Sequence, residues 1–192
     1  MKRKKGKVVI LSGPSGAGKT TLHDKLLNSP RLKGRLIKSI SVTTRPQRAG
    51  ERHGREYFFV TPKMFLHKRC ANHFLESEKV FDHYYGTPRK QVEDSLRLGK
   101  SVLLCIDVKG AEDAARCYPD AIKIFIKPPS LEELKKRLQN RGTETSGGMQ
   151  LRLKIANQEL QEAKNYDHVI VNDSLPQAYQ KLEEIVFSCL SK

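Results

Sequence analysis

Short apolar runs, each followed by a polar stretch with helical spacing, set the rhythm of this chain. Val8-Val9-Ile10-Leu11 lies in a predicted first strand over 7–11, and Leu22, Leu26 and Leu27 mark its helix over 20–28. The pattern repeats with a strand over 101–106 and a helix over about 111–117, then with a third strand over 121–126. Pro128-Pro129 stops that strand, and Ser130 with Glu133 forms a capping-box pattern for a helix through 141. A last buried strand over 169–171 leads into a C-terminal helix over about 175–190. Strands alternating with helices predict an α/β chain with a mainly parallel sheet covered by helices. Residues 39–91 break the rhythm. They are rich in Thr, Arg, Tyr and His, Tyr57-Phe58-Phe59 alternates like a strand, and the segment reads as an inserted antiparallel unit suited to a second substrate. No internal repeat or low-complexity segment is evident.

Directly after the first apolar run comes Gly13-Pro14-Ser15-Gly16-Ala17-Gly18-Lys19-Thr20, a complete G-x-x-x-x-G-K-[ST] phosphate loop where a buried strand ends. Glycines let such a loop turn its N–H groups inward around phosphates, and the helix that follows adds the positive end of its dipole. Lys19 is the side chain to reach the β and γ phosphates, Thr20 offers a hydroxyl to Mg2+, and Thr21 continues the nucleotide-binding segment. The loop predicts a nucleoside triphosphate in the active site.

Composition narrows the class. The 192 residues suffice for one domain with inserted subdomains, and 38% hydrophobic with 30% charged residues describes a globular chain. Cys70, Cys105, Cys117 and Cys189 have no C-x-x-C spacing and form no zinc pattern with the histidines, which suits a reducing cytoplasm. Lys2-Arg3-Lys4-Lys5 resembles the start of a signal peptide, but too few apolar residues follow before Ser12-Gly13-Pro14. No run is long enough to predict a membrane span. The net charge of +15 fits either nucleic acid or an anionic nucleotide as partner. The charge is spread along the chain without an RNA- or DNA-recognition motif, which argues against nucleic acid and for nucleotides.

A longer ordered set of motifs carries a family resemblance. Ser41-Val42-Thr43-Thr44-Arg45-Pro46-Gln47-Arg48, Gly50-Glu51, Gly54, Tyr57, Phe74-Leu75-Glu76 and Tyr84-Tyr85-Gly86-Thr87 resemble guanylate kinase. The match continues through Ile106-Asp107-Val108, Pro128-Pro129-Ser130, Arg137, Arg141-Gly142-Thr143 and Val171-Asn172-Asp173, so it covers nearly the whole chain. The resemblance implies phosphoryl transfer from ATP to GMP with Mg2+, on a three-layer P-loop kinase fold. It implies a core of residues 1–38, 92–130 and 159–192, a GMP-binding subdomain of residues 39–91, and a mobile lid of residues 131–158.

Residue roles follow from that resemblance and make chemical sense. Arg45 and Arg48 stand three apart beside a proline and suit a forked clamp on a dianionic phosphate, with hydroxyls from Tyr57 and Tyr85 beside them. Glu76 would accept from guanine N1–H and the 2-amino group, where adenine offers an unprotonated N1, and Ser41, Thr87 and Asp107 would assist. Lys19, Arg45, Arg137, Arg141 and Arg152 form the implied catalytic set. Arg137 and Arg141 lie four apart on one helix face, which suits charge spread over a transferring phosphoryl group. Residues 13–21 with Arg137 and Asn172 form the implied ATP site, Asn172 toward the adenine; Asp173 alternatively caps the next helix.

Departures from the family pattern add expectations. Cys105 stands where an acidic side chain is expected two residues before Asp107, which would weaken metal binding or move its work to Asp107; a buried small hydrophobe is the plainer reading of Cys105. Lys109 replaces the usual glutamine. Ser146-Gly147-Gly148 replaces acidic lid residues and predicts a later-starting helix with a looser loop. Readings in other classes are a guanylate-kinase-like scaffolding module without phosphate chemistry, a P-loop kinase with another acceptor, and a basic RNA-binding protein. The intact loop and the lid arginines argue against the module, while Glu76 and Thr87 argue for guanine.

Overall fold

The structure is a computed structural model that describes residues 5–80, 82–139 and 146–191. In chain order its elements begin with β1 (Val8–Ser12), α1 (Lys19–Leu27), β2 (Leu36–Lys38), β3 (Val42–Thr43), β4 (Phe58–Phe59) and α2 (Pro62–Cys70). Next come β5 (Phe74–Val80), β6 (His83–Pro88), α3 (Arg89–Arg97), β7 (Ser101–Cys105), α4 (Val108–Cys117) and β8 (Ile122–Lys127). The chain ends with α5 (Leu131–Gln139), α6 (Ser146–Gln161), a 3-10 turn (Glu162–Asn165), β9 (His168–Val171) and α7 (Leu175–Ser191). No described helix is long and apolar enough to cross a membrane.

The described residues divide into two compact units. The nucleotide-loop unit holds Val9–Lys33, Cys105–Val108 and Ile122–Lys192. Every residue of β1 is buried, as expected of a strand covered on both faces. It pairs in parallel with β8, Val9 opposite Ile122 and Leu11 opposite Ile124, and β8 pairs in parallel with β9. Helix α1 buries Leu22 and Leu26, and α7 buries Ala178, Leu182 and Val186 at helical spacing. Leu134 and Leu138 of α5 pack on Ala156, Met149 and Leu153 of α6.

The other unit comprises Gly34–Leu104 and Lys109–Ala121 with the N-terminal segment through Val8. It contains the parallel pair β2–β7 and a separate sheet in the order β4-β3-β6-β5. Period-2 alternation gives that sheet two different faces. One carries Val42, Phe74 and Phe58 against Phe65 of α2, whose ring stacks on Phe74 at 4.6 Å and on Tyr84 at 5.3 Å. The opposite face carries Thr43, Phe59, Tyr85 and Thr87, and it is polar.

The mixed α/β class with mainly parallel core pairing agrees with the sequence reading; the details need correction. The inserted unit is not purely antiparallel, because β3 and β4 run parallel. It also contains α2, started by Pro62 in the first turn and by Thr61, whose hydroxyl accepts from Met64 N–H at 3.3 Å. The capping box at α5 is half formed. Ser130 Oγ accepts from Glu133 N–H at 3.0 Å, whereas the Glu133 carboxylate turns to Arg137 Nε at 2.9 Å. Helix α6 begins at Ser146, so the glycines there do not delay it. Asp173 lies one residue early for an α7 cap, since the helix starts at Leu175.

Candidate active site

The phosphate loop is held by its glycines and by one buried side chain. Gly13 has φ +134, and a Cβ there would lie 2.1 Å from Ile126 O. Gly18 has φ +93 as the left-handed residue before α1, and a Cβ there would lie 2.2 Å from Asn172 Nδ2. That amide donates to Ala17 O at 2.8 Å, so Asn172, buried at the end of β9, braces the loop backbone. Its own carbonyl accepts from Arg137 Nη1 at 3.1 Å. Lys19 Nζ donates to Gly13 O at 2.5 Å and to Pro14 O at 2.9 Å, drawing the ammonium over the loop. Thr20 and Thr21 are exposed in the first turn of α1 and Ser15 is exposed on the loop. Thus residues 13–21, Asn172 and Arg137 come together in one unit. Arg152 is half-buried on α6, and Arg141 lies outside the described residues.

Glu159 and Tyr166, which sequence reasoning passed over, join this unit electrostatically. The Glu159 carboxyl is pushed up to about 7 by burial, with Lys19 opposing and Asp107 adding to the shift. Burial likewise pushes the Tyr166 hydroxyl up to about 12. A carboxyl that holds its proton more tightly in the folded than in the unfolded chain weakens the fold as pH rises from about 4.5 to about 7. The melting temperature of Glu159→Gln is therefore expected to gain on the parent across that window. Calorimetry at either end checks this, and a constant difference would remove the titration from the native state.

Mg2+ usually keeps several waters and takes its remaining ligands from phosphates and one or two protein oxygens. The Thr20 hydroxyl, next to Lys19 in a glycine loop that a Cβ would obstruct, fits that sparse donor set. No cluster of three His, Cys, Asp or Glu side chains suited to a metal occurs among the described residues. The four cysteines form no disulfide, and Cys105 is half-buried at the end of β7.

The second group of predicted residues gathers on the polar face of the β4-β3-β6-β5 sheet. Glu76 is 7% exposed and accepts from Thr87 Oγ1 at 2.5 Å. A bulge aims it there. Phe74 is opposite Pro88 but Glu76 is opposite Thr87, which leaves Leu75 as the extra residue. Without it, Phe74 and Glu76 would share a face, and the carboxylate would point into the phenylalanine cluster. Arg45 is buried under Tyr57 and Phe59, its guanidinium 5.5 and 5.8 Å from the two ring centres, and Tyr57 meets Tyr85 edge-on at 6.0 Å. Thr43, missed in the sequence, accepts from Arg45 N–H at 3.1 Å and donates to Tyr84 O at 3.0 Å.

Glu51 was also missed as a functional residue. Arg45 Nη2 donates to it at 2.7 Å, and this bond, more than the Arg48 amide also bound to it, holds its carboxyl below the usual range. Ser41 is half-buried and gives its carbonyl to Phe58 N–H, and Arg48 is exposed. Asp107, half-buried after β7, belongs to the phosphate-loop unit rather than to this one.

A buried carboxylate beside a hydroxyl can recognise adjacent N–H donors, an arginine under a tyrosine and a phenylalanine ring can hold a phosphate, and a P-loop can hold a triphosphate. The comparisons with known proteins agree with that combination. The guanylate kinase family model matches residues 5–189. A guanylate kinase of Protochlamydia amoebophila is 46% identical over 188 residues, covering 97% of this chain and 93% of its own. One from Synechococcus sp. (strain JA-3-3Ab) is 44% identical over 183 residues, covering 95% and 83%. The crystal structure of guanylate kinase from Anaplasma phagocytophilum superposes with a TM-score of 0.79 at 34% identity, covering 98% of this chain and 88% of that one. With its phosphate loop, its buried Glu76 and these relatives along nearly its full length, the chain belongs to the guanylate kinase family.

Proposed function

We propose that this chain transfers the γ-phosphoryl group of ATP to GMP, forming ADP and GDP. The observation that carries the guanine reading is the buried Glu76 carboxylate, hydrogen-bonded to Thr87 and turned by a bulge onto the polar sheet face. Guanine N1–H and its 2-amino group are donors that match a carboxylate, whereas adenine would leave a desolvated charge unpaired. Ser41 and Asp107 assist the base, and Arg45, Arg48, Tyr57 and Tyr85 hold its phosphate.

An acceptor phosphate oxygen attacks the γ-phosphorus as the bond to the β-bridging oxygen breaks; the dianionic acceptor needs no general base. The protein's work is alignment and charge neutralisation. Lys19 and the backbone N–H groups of residues 15–20 hold the donor phosphates, and Arg137, Arg141 and Arg152 answer the charge on the transferred group. Thr20 would hold Mg2+, which when bound would supply charge neutralisation to the donor phosphates. Asn172 serves ATP by keeping the loop in shape. We assign residues 39–91 to acceptor binding, residues 131–158 to a lid that excludes water, the remainder to the core, and the enzyme to the cytoplasm.

The test is ADP formation from ATP and Mg2+ with GMP, dGMP, AMP, CMP and UMP in parallel. GMP-dependent turnover is expected, and a preference for AMP or a pyrimidine nucleotide would overturn the assignment. Glu76→Gln exchanges an acceptor for a donor toward guanine N1–H, and about a hundredfold loss in kcat/KM for GMP is expected. A loss below about threefold would take Glu76 out of base recognition.

A further inference from the structure

The loop from Arg45 to Glu51 closes on itself through one carboxylate. Glu51 Oε1 accepts from Arg45 Nη2 at 2.7 Å, and Glu51 Oε2 accepts from the backbone N–H of Arg48 at 2.8 Å. The Glu51 backbone is tied to the same loop: its N–H donates to Arg48 O at 3.2 Å, and its carbonyl accepts from Gln47 Nε2 at 2.5 Å. Arg45 Nη1 donates to Pro46 O at 2.8 Å, so the guanidinium is held from both terminal nitrogens while it lies under Tyr57 and Phe59. A guanidinium carries five N–H groups, and these bonds use one from each terminal nitrogen, which keeps others for an incoming phosphate. The carboxylate is mostly enclosed, with 18% of its side chain exposed, and it pairs with an arginine side chain that is 10% exposed. Such geometry fixes two groups at once, unlike an exposed ion pair whose partners drift in solvent.

We propose that Glu51 is the positioning residue of the acceptor-phosphate clamp: its carboxylate orients the Arg45 fork and seats the Arg48 backbone, so that both arginines meet one phosphate in a fixed register. The inference rests on Arg45 and Arg48 being the ligands of the GMP phosphate. It adds a residue that touches no substrate yet sets the entropy cost of binding one, because an arginine already held in place loses little freedom on meeting its anion.

The experiment is a double-mutant cycle with steady-state kinetics on the full chain. Glu51→Ala is expected to raise KM for GMP about 10- to 100-fold while KM for ATP stays within about twofold, which also reports an intact fold. Glu51→Gln keeps an acceptor for Arg48 N–H but loses the charge, and an intermediate rise is expected. In an Arg45→Ala background the further change from Glu51→Ala is expected to fall below about threefold, since the fork is gone and the Arg48 backbone contact alone remains to be lost. A KM for GMP unchanged in Glu51→Ala, or the same factor in both backgrounds, would overturn the proposal. So would a fall in that KM, which would make Glu51 a competitor of the phosphate. If Arg45→Ala itself leaves KM for GMP unaltered, the clamp assignment fails first, and the proposal falls with it in a recognisably different way.

Discussion

Lys19→Ala is expected to lower kcat for GMP-dependent ADP formation by about a thousandfold, the scale on which a cation at a transferring phosphoryl group acts. The Lys19 ammonium sits over Gly13 O and Pro14 O, at the mouth of a loop whose backbone shape leaves no room for a Cβ at Gly13 or Gly18. Its charge is therefore delivered by a rigid cradle, and a water molecule entering the space left by alanine brings none. Lys19→Arg should recover little of the loss, because a planar fork is bulkier than a compact ammonium and cannot sit on the same two carbonyls. Single-turnover measurement at saturating ATP checks the chemical step directly. A rate within tenfold of the parent would remove Lys19 from phosphoryl transfer.

Arg45→Ala is expected to reduce kcat/KM for GMP by two to three powers of ten while ATP binding is little changed. Charge-assisted hydrogen bonds are worth about 1.5–3 kcal/mol each, and loss of a forked pair to a phosphate gives roughly that factor. The substitution also strands Glu51, whose carboxyl is held low chiefly by its hydrogen bond from Arg45. A depressed carboxyl pKa stabilises the fold above the unfolded value and loses that contribution as pH falls through the folded value. The stability difference between parent and Arg45→Ala should accordingly narrow on acidification below about 4.5, the ordinary value for this group. Arg45→Lys keeps the charge but not the fork, so most of the kinetic loss should persist. Calorimetric titration with a non-hydrolysable ATP analogue gives the control; loss of ATP binding would refute the separation of donor and acceptor roles.

The sequence was most informative where local pattern and tertiary burial coincide. The run through Leu11 is buried at every position, so its apolar continuity marked β1 to within a residue, and the glycines of the loop announced backbone shapes that other residues resist. Helix α2 was hidden because Phe65 is its buried residue while Met64 beside it is half exposed, leaving little periodicity to read. Helix α3 gives a better pattern, with Val92 and Leu96 buried four apart, yet it lies in a stretch dominated by charged side chains. The parallel pairing of β3 with β4 joins segments separated by a long loop, and nothing local encodes it. The site shows the same division. Arg45, Glu76 and Lys19 were legible as types in an ordered motif, whereas Glu51 and Thr43 act through partners that the folded loop supplies. Glu159 is exceptional for its burial near charge, a property of packing that a glutamate in a polar helix does not advertise.

The bulge at Leu75 makes the placing of Glu76 a matter of parity. Side chains on a strand answer to odd and even, and the unmatched residue between Phe74 and Glu76 changes which set the carboxylate joins. The side of the sheet that Glu76 faces is therefore written in a count as much as in a residue type. Many replacements of Leu75 preserve that count, and its deletion would make Phe74 and Glu76 consecutive and leave them on opposite faces, whereas a residue inserted between Thr87 and Pro88 to pair with Leu75 would straighten the strand and put Phe74 and Glu76 on one face. Grafted into another scaffold, this strand would carry the carboxylate to the face opposite Phe74 where the partner strand leaves Leu75 unpaired, and to the same face as Phe74 where it does not.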